Sequence, residues 1–90
     1  MPSSRKSDER YFRTCDLHLA SYLYAHGFWL VNVEPNEVGL PQFVFRNSAE
    51  REIFVHEFRH GPEALVDVRA FITALVALQK REDEVAAGLQ

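Results

Sequence analysis

Phe28-Trp29-Leu30-Val31-Asn32-Val33-Glu34, followed after a short break by Gln42-Phe43-Val44-Phe45-Arg46, decides the fold. Both segments are rich in β-branched and aromatic residues and alternate with a period of two, the pattern of a half-buried strand. Strict alternation puts Trp29, Val31 and Val33 on one face with Phe43 and Phe45, and Phe28, Leu30 and Asn32 on the other. Pro35, Asn36, Gly39 and Pro41 between the segments are turn and breaker residues, so the segments are expected to pair as an antiparallel hairpin. A lone hairpin is marginal in water, which calls for a third pairing partner from Leu65 or from Tyr11-Phe12-Arg13. Ala64-Leu65-Val66 reads either as a first helical turn after Pro62 or as a short edge strand, and the strand is the preferred reading.

Helices are expected on either side. Thr14 is a candidate N-cap, Asp16 lies in the first turn, and Leu19, Ala20 and Leu23 recur at helical spacing until Gly27, predicting a helix over residues 15–26. Asn47 or Ser48 caps a second, with Ala49, Ile53, Phe54 and Phe58 as its apolar stripe and Gly61-Pro62 as its stop. From Asp67 onward Val68, Phe71, Ile72, Leu75, Val76 and Leu78 mark a third and longest helix, which turns polar over residues 80–84 and is expected to fray after Asp83. The fold class is α+β: a small antiparallel sheet with three helices packed mainly on one face, in the order α-β-β-α-(β)-α. Residues 1–9 are expected to be a flexible lead-in, 10–84 a single domain and 85–90 a frayed end.

Composition bounds the function. Ninety residues make one domain that buries about 60–65% of its unfolded surface, leaving little room for a deep pocket. A hydrophobic fraction of 47% with seven phenylalanines supplies a core, and no apolar run approaches the ~20 residues of a membrane span. The Ser-rich, charged start has no apolar stretch after it, unlike a secretory signal, and the single Cys15 allows no internal disulfide. A cytoplasmic location and no membrane partner are expected. The formal net charge of −3 works against a large phosphate-binding surface, although Arg5, Lys6, Arg10 and Arg13 gather near the start among Asp8 and Glu9. A nucleic-acid-associated accessory protein is therefore an alternative reading, not the leading one.

Several segments together resemble a known family. They are Tyr11-Phe12-Arg13-Thr14-Cys15-Asp16-Leu17, Ala20-Ser21-Tyr22-Leu23, Gly27-Phe28, Phe43-Val44-Phe45 and Val66-Asp67-Val68-Arg69-Ala70-Phe71. In order and character they are similar to a family of short uncharacterised domains from phages and bacterial mobile elements, over about residues 10 to 82. The shared positions are caps and core residues. The resemblance implies a fold and no reaction, and the two histidines of the second helix lie outside it.

His56-Glu57-Phe58-Arg59-His60 is the one stretch with the look of chemistry, since two imidazoles four residues apart on a helix can share a metal ion. A zinc-dependent hydrolase needs in addition a third ligand and a substrate cleft. Asp67, Glu82, Glu84, His18 and His26 are candidates for the ligand, and no spacing favours any of them. Arg59 intrudes between the histidines and Gly61-Pro62 breaks the helix directly after His60. The expectation is that His56 and His60 are solvent-facing and that the protein has no cofactor and no catalytic residue. On the first helix His18, Tyr22 and His26 align on one face, but the outer imidazoles stand about 12 Å apart, too far for one ion. They are read as a half-exposed polar face, and Cys15 as a small residue packed under the N-cap.

A binding role rests on the sheet. With Trp29, Val31 and Val33 against the helices, the other face would carry Phe28, Leu30 and Val44 beside Arg46, an apolar patch with a polar rim. The sequence thus points to a non-enzymatic protein-interaction or regulatory module whose partner is another protein or a second copy in a homodimer.

Overall fold

The computed structural model describes residues 10–61 and 65–88. The elements run β1 (Tyr11–Thr14), α1 (Leu17–Ala25), β2 (Leu30–Pro35), β3 (Pro41–Arg46), α2 (Ala49–His60) and α3 (Val68–Ala86). The fold is α+β, as expected, with three helices and a three-stranded antiparallel sheet in the order β1-β3-β2. The element order differs from the expectation. Tyr11–Thr14 supplies the third strand and precedes the first helix, while Leu65 and Val66 belong to neither helix nor strand and Ala64 lies outside the described residues. The N-terminal strand wins because Phe12 opposes Phe45 and Thr14 opposes Phe43, completing a cross-strand row on the core face. The lead-in proposed for residues 1–9 also lies outside the described residues.

The hairpin between β2 and β3 is as read, and Asn36 organises its turn. Its Oδ1 accepts from the backbone N–H of Val38 and of Leu40, both at 2.9 Å, and Gly39 takes φ +89°, where a side chain would be strained. One feature overturns the strict alternation. Leu30 opposes Phe45 but Asn32 opposes Val44, so Val31 is an extra residue, a bulge that reverses the faces of everything before it. Leu30 therefore packs against the core, and Trp29 and Val31 stand outside, where 68% and 46% of their surfaces are exposed. Phe28 is likewise packed against the core. The outward patch of Phe28, Leu30 and Val44 does not form.

Helix α1 begins two residues later than expected because Asp16, not Thr14, is its N-cap. Asp16 Oδ1 accepts from the N–H groups of His18 (3.0 Å) and Leu19 (3.2 Å), and Thr14 Oγ1 instead accepts from Asp16 N–H. Five consecutive residues from Leu19 to Leu23 are buried, because α1 contacts β1, α2 and α3 at once. The polar Ser21 is accommodated by donating its hydroxyl to the Leu17 carbonyl at 2.8 Å.

Helix α2 turns a different stripe inward from the one expected. Val55 is buried and Phe54 and Phe58 pack on the core, whereas Ala49 and Ile53 are exposed. Arg51 fixes the helix to β1: its Nε donates to Asn47 Oδ1 at 2.9 Å while its guanidinium lies 4.4 Å from the centre of the Phe12 ring. Helix α3 is capped by Asp67, whose Oδ2 accepts from Ala70 N–H at 2.9 Å, and packs on α1, β2 and β3. It continues beyond Asp83 to Ala86 because Val85 enters the core. The core joins Phe43, Phe45, Val33, Leu19, Leu23, Leu78, Val55 and Val85, and each fully buried Phe contributes about 2–3 kcal/mol. Among the described residues no helix is long and apolar enough to cross a membrane.

Candidate functional site

The histidine pair is on the outside of α2. The rings of His56 and His60 lie 5.1 Å apart between centroids, tilted by 44°, and both residues are exposed. Among the described residues no group of three or more His, Cys, Asp or Glu converges, and none of them adds to the pair the third ligand that the zinc reading requires. Ile53, Glu52 and Glu57 share the shallow surface beside His56.

The histidines of α1 separate. His26 sits against Tyr22 (4.6 Å, edge-on) and Phe54 (4.8 Å), and its Nε2 donates to the Leu65 carbonyl at 2.8 Å, tying the segment before α3 to the end of α1. Tyr22 is buried instead of forming a half-exposed face, enclosed by Phe54 and Phe58 as well. Burial, with the Glu57 carboxylate nearby as a lesser cause, raises the pKa of its phenol. His18 is exposed and apart. Cys15 is exposed too, not packed beneath the cap, and Asn36 Nδ2 donates to its sulfur at 3.6 Å.

Two surfaces remain as sites. The first is the helix-free face of the sheet. Residues directly opposed in register share a face, which places Tyr11 beside Arg46, Arg13 beside Val44, Val44 beside Asn32 and Gln42 beside Glu34. The bulge adds Val31 and Trp29. Tyr11, Trp29, Val31, Arg10, Arg46 and Asn47 line a cleft of about 430 Å³ at one end of this face. The guanidinium groups of Arg10 and Arg13 stand 5.6 and 5.7 Å from the Tyr11 ring centre. Of the residues proposed for partner binding, Arg46 is here and exposed, Val44 is here but 96% covered, and Phe28 and Leu30 are on the opposite side. Trp29 on the next cleft also borders Phe28, Phe54, His26 and Ser48.

The second surface is the outward side of α3. The apolar residues read as one stripe divide: Phe71 and Leu78 pack inward beside the buried Ala74, Leu75 is half-buried, and Val68, Ile72 and Val76 turn out. Val68, Ile72 and Val76 are 69%, 53% and 62% exposed, and Leu65 just before the helix is 70% exposed. Spaced four residues apart on the helix, Val68, Ile72 and Val76 make a continuous apolar line.

A family profile described as "Domain of unknown function (DUF5659)" matches residues 9–83 of this chain. The chain belongs to that family. The match begins just before β1 and ends within α3, so it spans the sheet and the face-forming residues of all three helices. The expectation of an uncharacterised small domain holds at this level. No curated protein and no solved structure matches the chain.

Neither surface was readable as such from the sequence. The cluster of Trp29 with Arg10, Tyr11 and Arg46 depends on a one-residue bulge and on the pairing of β1 with β3. The only signal for it was the pairing alternative that used Tyr11-Phe12-Arg13. The outer stripe of α3 was present in the sequence as the pair of extra apolar positions, Ile72 beside Phe71 and Val76 beside Leu75.

Proposed function

We propose that this domain is a non-enzymatic protein-interaction module that associates with a second copy of itself through the outward stripe of α3. The observation that carries the reading is the exposure of Val68, Ile72 and Val76 in one line, on a helix whose opposite side already fills the core, with Leu65 exposed in the segment just before it. Single exposed apolar residues are ordinary, but three in register along one helix are seldom left bare. The stripe is also self-complementary. Val68, Ile72 and Val76 are evenly spaced, so two antiparallel copies of α3 related by a two-fold axis at Ile72 place Val68 of each against Val76 of the other. Four side chains per copy make a small interface, of the weak and reversible class. Such a device suits a regulatory module in which concentration sets assembly. We place it in the cytoplasm of a bacterial or phage-infected cell, which the resemblance to phage and mobile-element domains and the exposed thiol of Cys15 favour.

Sedimentation over about 10 μM to 1 mM, a range matched to a micromolar-or-weaker dissociation constant, tests it. The wild-type chain is expected to pass from monomer to dimer, and Ile72→Asp to remain monomeric with an unchanged circular dichroism spectrum. A wild type that stays monomeric throughout, or an Ile72→Asp variant that dimerises as well, overturns the proposal. Loss of the dimer on Trp29→Asp with its retention on Ile72→Asp would move the interface to the sheet.

A further inference from the structure

The face of the sheet turned away from the described helices is a surface separate from the outward side of α3. We infer that the corner formed by Trp29, Tyr11, Arg10, Arg13 and Arg46 is a binding site for single-stranded nucleic acid. Three observations meet there.

The first is the exposed indole. Trp29 is the only tryptophan of the chain, and 68% of its surface is open although a core one residue away was available to it. The bulge at Val31 is what keeps it out, and bulges recur where a side chain has to be re-aimed. An open indole on a sheet is a platform on which any base can stack, since every base has a π face.

The second is the charge around it. Arg10, just before β1, and Arg46, on β3, line the cleft with Trp29, and Arg13, which lines the neighbouring cleft with Gln42 and Glu37, reaches back to the Tyr11 ring. Among the described residues Glu50 of α2 borders the adjoining cleft of Trp29 and Arg46, while Glu52 and Glu57 on α2 and Glu82, Asp83 and Glu84 on α3 line neither cleft. The formal charge of −3 is an average over the whole chain, and the local field at the cleft guides an anionic ligand more than that average does. Glu34, the acid on this face, stands at the far end of the strand beside Pro35 and Gln42.

The third is the pre-positioning of the cations. The Tyr11 ring has the Arg10 and Arg13 guanidinium groups over it at 5.6 and 5.7 Å, which holds two long side chains near the cleft that Trp29 and Arg46 also line. Planar guanidinium groups bind phosphate oxygens through paired N–H donors. A strand crossing the cleft would stack a base on Trp29 and set its phosphates among the three arginines. A duplex would present no free base to the indole, so single strands are preferred.

The test uses Trp29 as its own reporter. A short oligothymidylate is expected to quench the tryptophan emission of the full chain saturably, and the logarithm of affinity should fall against the logarithm of salt with a slope of roughly −2, the value for three neutralised phosphates on a single strand. With a dye-labelled oligonucleotide read by anisotropy, Trp29→Ala should bind about tenfold more weakly or worse, and Arg46→Ala should weaken binding and flatten the salt slope. Inorganic polyphosphate and poly-glutamate of matched charge should compete poorly. Unaltered oligonucleotide affinity in a folded Trp29→Ala variant overturns the inference, and so does competition by polyphosphate as effective as by unlabelled oligonucleotide. Quenching by poly-glutamate stronger than by the oligonucleotide would reassign the corner to an acidic protein segment. Ile72→Asp separates the two surfaces, because it should leave oligonucleotide binding to the monomer intact.

Discussion

Helices α1 and α3 pack against each other in the same core, yet one is buried on nearly every side and the other keeps an apolar stripe in the open. In α1 the run Leu19–Leu23 is covered without a break, and even its serine turns inward. In α3 the inward line of Phe71, Ala74, Leu78 and Val85 suffices to close the fold, and Val68, Ile72 and Val76 are left over. The contrast separates two uses of hydrophobicity that composition alone merges: in α1 it holds the domain together, and on the outside of α3 it is available for association.

The largest expected effect tests that separation directly. Leu23→Ala should destabilise the domain by about 2–5 kcal/mol in chemical denaturation, because Leu23 is fully buried and its removal leaves a cavity. Ile72→Ala, measured at protein concentrations low enough to exclude self-association, should change stability by no more than about 0.5 kcal/mol. Comparable losses from both substitutions would break the comparison. Next in size are the caps. Asp16→Ala on α1 and Asp67→Ala on α3 each remove a side-chain acceptor from helix N–H groups and should cost about 1 kcal/mol, read from the denaturation midpoint at constant slope. Ser48→Ala at the start of α2, where the side chain makes no capping bond, should cost much less.

Two pH effects sharpen the comparison further. Glu82 lies half-buried on α3, and burial first, then the Asp83 charge, raises its carboxyl pKa. A raised acid favours the folded state while protonated, so this contribution is full below the unfolded value and disappears as pH rises through the folded one. Glu82→Gln should therefore gain in melting temperature over the wild type between pH 4 and pH 7, and a constant difference across that range would remove the effect. The counterpart on α1 is Tyr22. Its raised phenol pKa means that stability is lost as pH climbs above the ordinary tyrosine value near 10, and Tyr22→Phe should lose less there. Parallel melting curves of Tyr22→Phe and wild type from pH 8 to pH 11 would contradict this smallest of the effects.

Much of the fold was legible because local chemistry and tertiary packing agree. The alternation through Phe43-Val44-Phe45, the breakers at Asn36 and Gly39, and the cap at Asp67 lead to the same elements in sequence and in structure. Where they differ, non-local pairing decided. Thr14 and Asp16 are both good caps by chemistry, and only the engagement of Thr14 in β1 hands the role to Asp16. The bulge at Val31 has no glycine or proline to announce it, and it inverted the assignment of Trp29, Leu30 and Phe28. The candidate surfaces were correspondingly harder to read, since Trp29 and Val31 on the one and Val68, Ile72 and Val76 on the other are residues that a periodicity count assigns to the interior.

Because β3 lies between two strands that both precede it in the chain, a ribosome delivers the flanks of this sheet before its middle. Until residue 46 has emerged, β1 and β2 have no ladder to join, and the apolar run of α1 has no floor beneath it. Nascent fragments that stop short of Phe43 are thus left with sticky, unpaired segments, and the domain acquires its order in one late step instead of growing from its beginning.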